Sequence, residues 1–280
     1  MKLPVITHPL TKFGMASLLM AASLAGNAQD FYVKTYTPEV TATMLNQCGA
    51  QCPNLEYQFI NTGTPWLDHI INKDITLALH STNDEASKTV KDPWQTFKNS
   101  AAPSTSQYTE RLTAATRQLI QENKALNKAR GNRGKEIAPF IEVTATPTYL
   151  GHKGNLELFA TTFYQYMGGA HGLGTTNFYV FDMANKKQLM LEDVLLPNQK
   201  DRLSQLVKAQ FSEQLKAEKI DPKTHFQSWP FFLTANYSFG REGMTFLYQP
   251  YDLAFYAFGA PKVTIGYAQL SGIVKPEYLQ

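Results

Sequence analysis

The chain has 280 residues, with 26 lysines and arginines against 23 aspartates and glutamates and a formal net charge of +3. It contains no long run of either charge, so nothing favours a nucleic-acid partner or general electrostatic binding to membranes. The length suffices for one large domain or two small ones.

The first 28 residues have the pattern of an export signal. Lys2 and Lys12 stand ahead of an uncharged stretch of 14 residues from Phe13 to Gly26, and small residues precede Gln29. Cleavage before Gln29 removes two lysines and no acid, which lowers the formal charge from +3 to +1. We therefore expect a periplasmic or secreted protein with no membrane span after cleavage. The alternative is an uncleaved anchor, for which the uncharged stretch is short.

The two cysteines, Cys48 and Cys52, are separated by three residues. In an exported protein such a pair predicts a disulfide that closes a small loop. A metal site would need two further ligands, and no histidine is nearer than His69. A thioredoxin-type redox site would need two intervening residues instead of three.

The first part of the chain is predicted to contain two strands and a helix. The strands are expected at 31–40 and 55–60, where β-forming residues cluster between turn residues. Thr64 and Pro65 suit the N-cap and first position of a helix that extends to Leu79. Its apolar stripe has one polar exception, Asp74.

A second helix is predicted after a polar connection at 83–103. Ser104 and Gln107 fit a capping box, and the apolar stripe that follows should end near Gly131. The segment 127–135 is rich in glycine and basic residues and is our candidate domain boundary.

The remaining chain is predicted to be mainly strands. The expected strands are 141–149, 156–166, 175–182, 189–191, 231–237, 244–248 and 263–267. Pro147 favours an edge position for the first of them. A long helix is expected at 201–216 with Asn198 as its cap. This order of elements predicts an α+β fold, in which antiparallel sheets pack with two long helices in two closely associated subdomains.

Four glycines and a histidine lie between two predicted strands in the stretch 164–174, which predicts a tight loop open to a ligand. His171 could act there as a general base or metal ligand, or it could fix the loop by bonding to backbone. Asp182, Asp193 and Asp252 are the acids that could approach it. No Ser/His/Asp pattern or paired-histidine metal spacing is present, so we assign no catalytic residue and no metal ligand.

A second candidate loop contains Pro250 and Tyr251. The proline limits the conformations of the loop, and the tyrosine offers a large apolar face with a polar tip. A buried structural turn is the alternative interpretation. We predict that the two loops lie next to each other and form one binding surface. Its predicted binding residues are Tyr166, Gly168, Gly169, Ala170, His171, Gly172, Pro250 and Tyr251.

Several of these segments together resemble a known family. They are Tyr-Met-Gly-Gly-Ala-His-Gly at 166–172, Asn-Phe at 177–178, Phe-Asp at 181–182, the segment 189–194, and Tyr-Gln-Pro-Tyr-Asp-Leu-Ala-Phe-Tyr-Ala-Phe-Gly at 248–259. Their order and spacing resemble the RsiV-type C-terminal domain. Tyr57, Asn61 and the stretch 66–75 are similar to the domain that precedes it in RsiV and in PdaC-type peptidoglycan deacetylases.

The resemblance implies a PdaC/RsiV-like N-terminal domain at 29–134 and an RsiV-like C-terminal domain at 135–280. It also implies recognition at the cell wall, because in RsiV this pair of domains binds lysozyme. The sequence has neither an anti-sigma segment with a spanning helix nor a polysaccharide-deacetylase domain, so only the sensing or accessory part is expected. We expect a non-enzymatic envelope protein that binds lysozyme or a peptidoglycan-related ligand without a cofactor. The alternatives are an envelope-glycan enzyme that uses His171 and a structural envelope factor.

Overall fold

The computed structural model describes residues 31–49, 52–80, 93–130 and 140–279. The predicted export signal and residues 131–135 of the predicted boundary lie outside these ranges. Among the helices described, none has the length and apolar character that a membrane crossing requires.

The helices lie mainly in the first half of the chain and around residue 210. They are α1 (Glu39–Asn46), α2 (Pro65–Ala78), α3 (Pro93–Asn99), α4 (Thr105–Arg130), α5 (Leu191–Val194), α6 (Lys200–Ala217), α7 (Pro222–Ser228) and α8 (Tyr267–Leu270). The two long helices predicted from the sequence correspond to α4 and α6.

The strands form three sheets. They are β1 (Lys34–Tyr36), β2 (Asn54–Tyr57), β3 (Phe59–Asn61), β4 (Ile141–Lys153), β5 (Leu156–Met167), β6 (Leu173–Asp182), β7 (Lys187–Gln188), β8 (Tyr237–Phe239), β9 (Gly243–Leu247) and β10 (Lys262–Gly266). The largest sheet has the order β2-β4-β5-β6-β7, the second β10-β9-β8, and β1 pairs with β3. The fold is α+β, as predicted.

The sheets are antiparallel as predicted except at one pairing, where β2 runs parallel to β4. A parallel neighbour requires a long crossover, and α2 to α4 lie in the chain between these two strands. The pairing also means that the two predicted domains, 29–134 and 135–280, contribute strands to one sheet. Tyr32 to Gln280 form one compact unit by their contacts.

Two helix starts follow the local sequence. Pro65 is the first residue of α2, where its missing N–H leaves no intrahelical bond unmade. At the start of α4 the capping box is complete: the Ser104 N–H donates to Gln107 Oε1 at 2.8 Å, and the Gln107 N–H donates to Ser104 Oγ at 3.2 Å.

Two predicted strands in the N-terminal part are shorter than expected. The strand at 31–40 ends at Tyr36, because Pro38 precedes α1 and cannot donate to a ladder. The strand at 55–60 divides at Gln58 into β2 and β3, which pair with different partners. The expected edge position of Pro147 agrees with the structure, since β2 pairs with β4 only as far as Ala145.

Three other local predictions are wrong. Residues 231–236 form no strand, and in place of pairing they pack Phe231 and Leu233 against the core. The strand predicted at 189–191 lies earlier, as β7, and α5 begins at Leu191, where Asp193 accepts a hydrogen bond from the Met190 N–H at 2.8 Å. Asn198 does not cap α6; it has a φ of 61°, a conformation that asparagine tolerates better than most residues.

The main core lies between α6 and the second sheet. One face of α6 is fully buried against β8 to β10 and against the first residues of β5. The opposite face of the five-stranded sheet is covered by α2, where Trp66 meets Phe181 edge to face at 5.6 Å. Because α2 ends at Ala78, the end of this face near the 168–172 loop stays partly uncovered.

Candidate functional site

The glycine loop, defined as Gly168–Gly172, connects β5 to β6 at one end of the five-stranded sheet. Gly168 and Gly169 have φ values of 80° and 141°, which side chains with a Cβ rarely adopt. The Tyr166 hydroxyl accepts from the Gly169 N–H at 3.3 Å and donates to the Gly169 carbonyl at 2.9 Å. Tyr166 therefore holds the loop in shape from the end of its own strand.

Gly172 is required because of a close approach and not because of its backbone angles. A Cβ at this position would lie 2.6 Å from Tyr164 Cε2 and closer still to the end of the ring. The Tyr164 ring therefore rests directly on the backbone at Gly172. Any larger residue would have to displace that ring.

His171 is exposed and held by two neighbours. Its Nδ1 lies 3.0 Å from the Gly172 carbonyl oxygen, which can only accept, so Nδ1 carries the proton. The imidazole stacks on Tyr256 with ring centroids 4.1 Å apart and an interplanar angle of 20°. The Tyr256 hydroxyl donates to the same Gly172 carbonyl at 3.0 Å. Bonding to backbone, which was the loop-fixing alternative for this histidine, therefore orients it together with stacking on Tyr256.

The second loop is a tight turn from Gln249 to Asp252. The Asp252 N–H donates to the Gln249 carbonyl at 3.0 Å, and the Gln249 N–H donates to Asp252 Oδ2 at 2.7 Å. Pro250 takes the second position of the turn and Tyr251 the third, with a φ of 72°. Glycine or asparagine usually occupies that position, so Tyr251 has a strained backbone.

The two predicted loops are in contact. The Tyr251 hydroxyl lies 3.4 Å from His171 Nε2, and the Tyr251 ring centroid lies 5.6 Å from that of Tyr256. The predicted adjacency of the loops is therefore confirmed. We call the surface formed by the glycine loop, Pro250 and Tyr251 the recognition edge.

Two side-chain amides fix the position of the second loop. Gln249 accepts from the Thr176 N–H at 2.9 Å and donates to the Thr176 carbonyl at 2.7 Å. Asn236 accepts from the Phe178 N–H at 2.7 Å and donates to the Thr176 carbonyl at 2.8 Å. These residues of β6 lie beyond its short pairing with β7, so the amides take the place of a neighbouring strand.

The recognition edge is neutral and partly apolar. Tyr251 is 47% exposed, and two large side chains next to the loops, Leu173 and Phe255, are 43% and 55% exposed. Ala170 and His171 are also exposed, whereas Gly172 is buried. Sequence reasoning missed Gln249 and Asn236 and did not single out Tyr256; the signal for Gln249 was its place directly before Pro250.

The three acids considered as partners of His171 bond elsewhere. Asp182 accepts from the Asn185 side chain at 2.7 Å, Asp193 bonds to Lys187 at 2.9 Å, and Asp252 caps its own turn. Within the described ranges no three side chains of His, Cys, Asp or Glu are grouped as a metal site requires. None of these three acids therefore orients the histidine as a general base.

Cys48 and Cys52 are free thiols in the structure, at the end of α1. The Cys52 thiol donates to the Leu45 carbonyl at 3.3 Å, and burial raises the pKa of this thiol to about 11, with the neighbouring Cys48 acting in the same direction. A thiol with a raised pKa is a poor nucleophile. The disulfide between the two stays a prediction.

The comparisons with known proteins concern a family without an assigned function. The family described as "Protein of unknown function (DUF3298)" matches residues 192–268, which include Pro250 and Tyr251 but not the glycine loop. No curated protein matches the chain.

Two solved structures share the fold. One is a DUF3298 family protein from Pseudomonas aeruginosa PAO1, with 23% identity and a TM-score of 0.58, covering 82% of this chain and 88% of its own. The other is a member of the same family from Bacteroides fragilis, with 18% identity and a TM-score of 0.57, covering 81% and 88%. Residues 192–268 therefore match a DUF3298 domain, carried on a fold that solved proteins of that family share.

Proposed function

We propose that the protein is an exported, non-enzymatic binding protein of the cell envelope that recognises lysozyme or a peptidoglycan-related ligand through the recognition edge. The observation that carries the proposal is Tyr251, whose ring is exposed although its backbone is strained and its hydroxyl contacts His171. Strained residues persist where surrounding bonds hold them, and they cluster at ligand-binding sites.

The construction of the edge suits binding. The turn bonds of Asp252 and the amide of Gln249 hold Tyr251 in place before any partner arrives, so little conformational entropy is lost on association. Tyrosine is enriched among the residues that dominate protein interfaces, and its ring also stacks on sugars. A partner can therefore contact the exposed ring of Tyr251 without meeting large side chains of the neighbouring glycine loop.

The shape and neutrality of the edge suggest how it would act on lysozyme. Gly168, Gly169 and Ala170 carry almost no side chain and protrude between two strands, so they could enter an enzyme cleft. Blocking the cleft would inhibit the enzyme without any cofactor. The resemblance of the segments at 166–172 and 248–259 to the RsiV-type domain supports this partner, and it supports an envelope location together with the predicted export signal.

The test uses the chain from Gln29 onward. It is mixed with lysozyme and, separately, with peptidoglycan, and both complex formation and lytic activity are measured. Tyr251→Ala should weaken binding by about 30-fold while the fold is retained. Gly169→Val should also weaken binding, since Gly169 has a φ of 141° that valine cannot adopt. Leu150→Ala is the matched control, because Leu150 is 46% exposed on the far end of β4. Full binding by both edge variants would refute the proposal.

A further variant, His171→Gln, and the wild-type chain distinguish the two alternative functions. If His171→Gln leaves binding intact but stops turnover of wall material, the protein is an envelope-glycan enzyme. If the wild-type chain binds neither lysozyme nor peptidoglycan and co-purifies with envelope proteins, it is a structural envelope factor.

A further inference from the structure

A concave site lies on the face of the five-stranded sheet that carries the side chains of Phe163 and Gln165, opposite the side chain of Tyr166. This sheet-face cleft has a volume of about 420 Å³, within the range of small-molecule sites. Its floor is formed by β4, β5 and β6, and its wall by the C-terminal half of α2. The side chains that matter to its chemistry are those of Asp74, His80, Phe163, Gln165, Thr175 and Asn177.

The strand register explains why the floor is both aromatic and polar. Phe163 pairs with Thr175, and two residues further along β6 Asn177 pairs with Thr161, so these side chains lie on one face. Gln165 follows Phe163 on the same face of β5. Further along this face Phe159 and Phe181 are buried under α2, whereas the helix ends at Ala78 beside the cleft and leaves its floor uncovered.

Asp74 provides a hydrogen-bond acceptor to the cleft. One of its carboxylate oxygens accepts from the Tyr179 hydroxyl at 3.1 Å, and no side chain or backbone group in the described ranges donates to the other. Burial raises the pKa of this carboxyl, although the Tyr179 bond and the charge of Lys73 act in the opposite direction. A ligand hydroxyl or ammonium would give the second oxygen the donor that it lacks.

Two other polar side chains of the floor are also available to a ligand. The side chains of Gln165 and Thr175 make no hydrogen bond to any described group, so both can serve a ligand. Among the described residues that line the cleft there is no lysine or arginine, and the one full charge is the carboxylate of Asp74. An acidic ligand would meet repulsion with no compensating cation, whereas a purely apolar ligand would leave these polar groups unpaired.

We infer that the sheet-face cleft binds a neutral or amine-bearing hexose ring, with the apolar face of the sugar on Phe163 and its polar substituents on Asp74, Gln165 and Thr175. A sugar ring has both the apolar face and the surrounding hydroxyls that this floor matches. The site is separate from the recognition edge, because none of its hydrogen-bonding groups belongs to the glycine loop or to the 249–252 turn.

The experiment titrates the chain with N-acetylglucosamine, glucosamine and glucuronic acid, observed by saturation-transfer NMR and by calorimetry. The first two sugars should bind saturably and the third should not. Asp74→Asn keeps the shape and the acceptor for Tyr179 but removes the charge, and it should weaken glucosamine binding by about tenfold or more. Gln165→Ala should weaken both sugars, and Thr162→Ala, on the opposite face of β5, should change neither.

The result that would overturn the inference is no saturable binding of any sugar, or binding of glucuronic acid as tight as that of glucosamine. Unchanged affinity in both Asp74→Asn and Gln165→Ala, with folding intact, would overturn it too. Tyr251→Ala should leave sugar binding unchanged, so the failure of this inference and the failure of the recognition-edge proposal are distinguishable.

Discussion

Replacing Tyr251 by alanine and, separately, by glycine distinguishes the contacts of its ring from the strain of its backbone. A buried aromatic side chain covers about 150–250 Å². Tyr251 is 47% exposed, so about 100 Å² is buried, which contributes about 2 kcal/mol. Both variants lose this contribution. Alanine also keeps the unfavourable left-handed conformation at a φ of 72°, whereas glycine is free of it.

The difference between the two variants follows from two opposing effects. In the folded state, glycine adopts the left-handed conformation at about 1–2 kcal/mol lower cost than alanine. Glycine also has more conformational entropy than alanine in the unfolded chain, which lowers the stability of the glycine variant by about 0.4–1 kcal/mol. Tyr251→Gly should therefore be about 1 kcal/mol more stable than Tyr251→Ala, the reverse of the order at an ordinary position.

The assay is urea unfolding, with the two midpoints compared at equal slopes, and thermal unfolding should show the same order with a gap of about 2–4 °C. Partner binding should fall in both variants alike, by about 30-fold if Tyr251 is an anchor. If alanine is as stable as glycine, the backbone at this turn is not strained and the argument from strain fails.

Three further predictions concern single residues. Gly172→Ala should destabilise the fold by about 1–3 kcal/mol by displacing the Tyr164 ring, whereas Gly174→Ala, whose Cβ would have its nearest neighbour at 3.8 Å, should change stability by less than about 0.5 kcal/mol in urea unfolding. Asp74→Asn should match wild type in thermal stability below pH 3.8, the ordinary pKa of aspartate. Because burial raises the native pKa of Asp74, wild type loses stability as pH rises through that pKa, and the variant becomes the more stable protein. A constant difference at all pH values would contradict this. Gly243→Ala should cost about 3 kcal/mol and lower soluble yield, because its Cβ would lie 2.7 Å from a carbonyl carbon of β10, which is backbone and cannot rotate away.

Local patterns predicted the long helices well. The predicted start of α4 is confirmed by its capping box. It was predictable because the box depends only on Ser104 and Gln107, which are three residues apart. The glycine loop was predictable for the same reason, since four glycines between two strand patterns leave few other structures.

Predictions failed where distant residues decide the structure. The segment 231–237 has the composition of a strand, yet Asn236 turns its side chain to β6 and leaves only Tyr237 in a strand. The parallel pairing of β2 with β4 joins residues about 90 positions apart, and no local pattern encodes it.

The candidate site was predictable only in part. The adjacency of His171 and Tyr251 followed from two segments of one family resemblance, and the structure confirms it. The stacking partner Tyr256 and the supporting amide of Gln249 depend on exact three-dimensional packing, so composition could not single them out. Asp74 did carry a signal, as the one polar residue on an apolar helical stripe.

The side-chain amides of Asn236 and Gln249 also affect whether the free edge of β6, the outer border of this strand, can pair with another molecule. A bare border of this kind would recruit a strand from a second molecule, as in fibril growth or domain exchange. Here two side chains satisfy the backbone at Thr176 and Phe178, so the molecule ends its own sheet without another strand. We expect removal of both amides to leave these backbone groups unpaired and to favour strand pairing between molecules along this border.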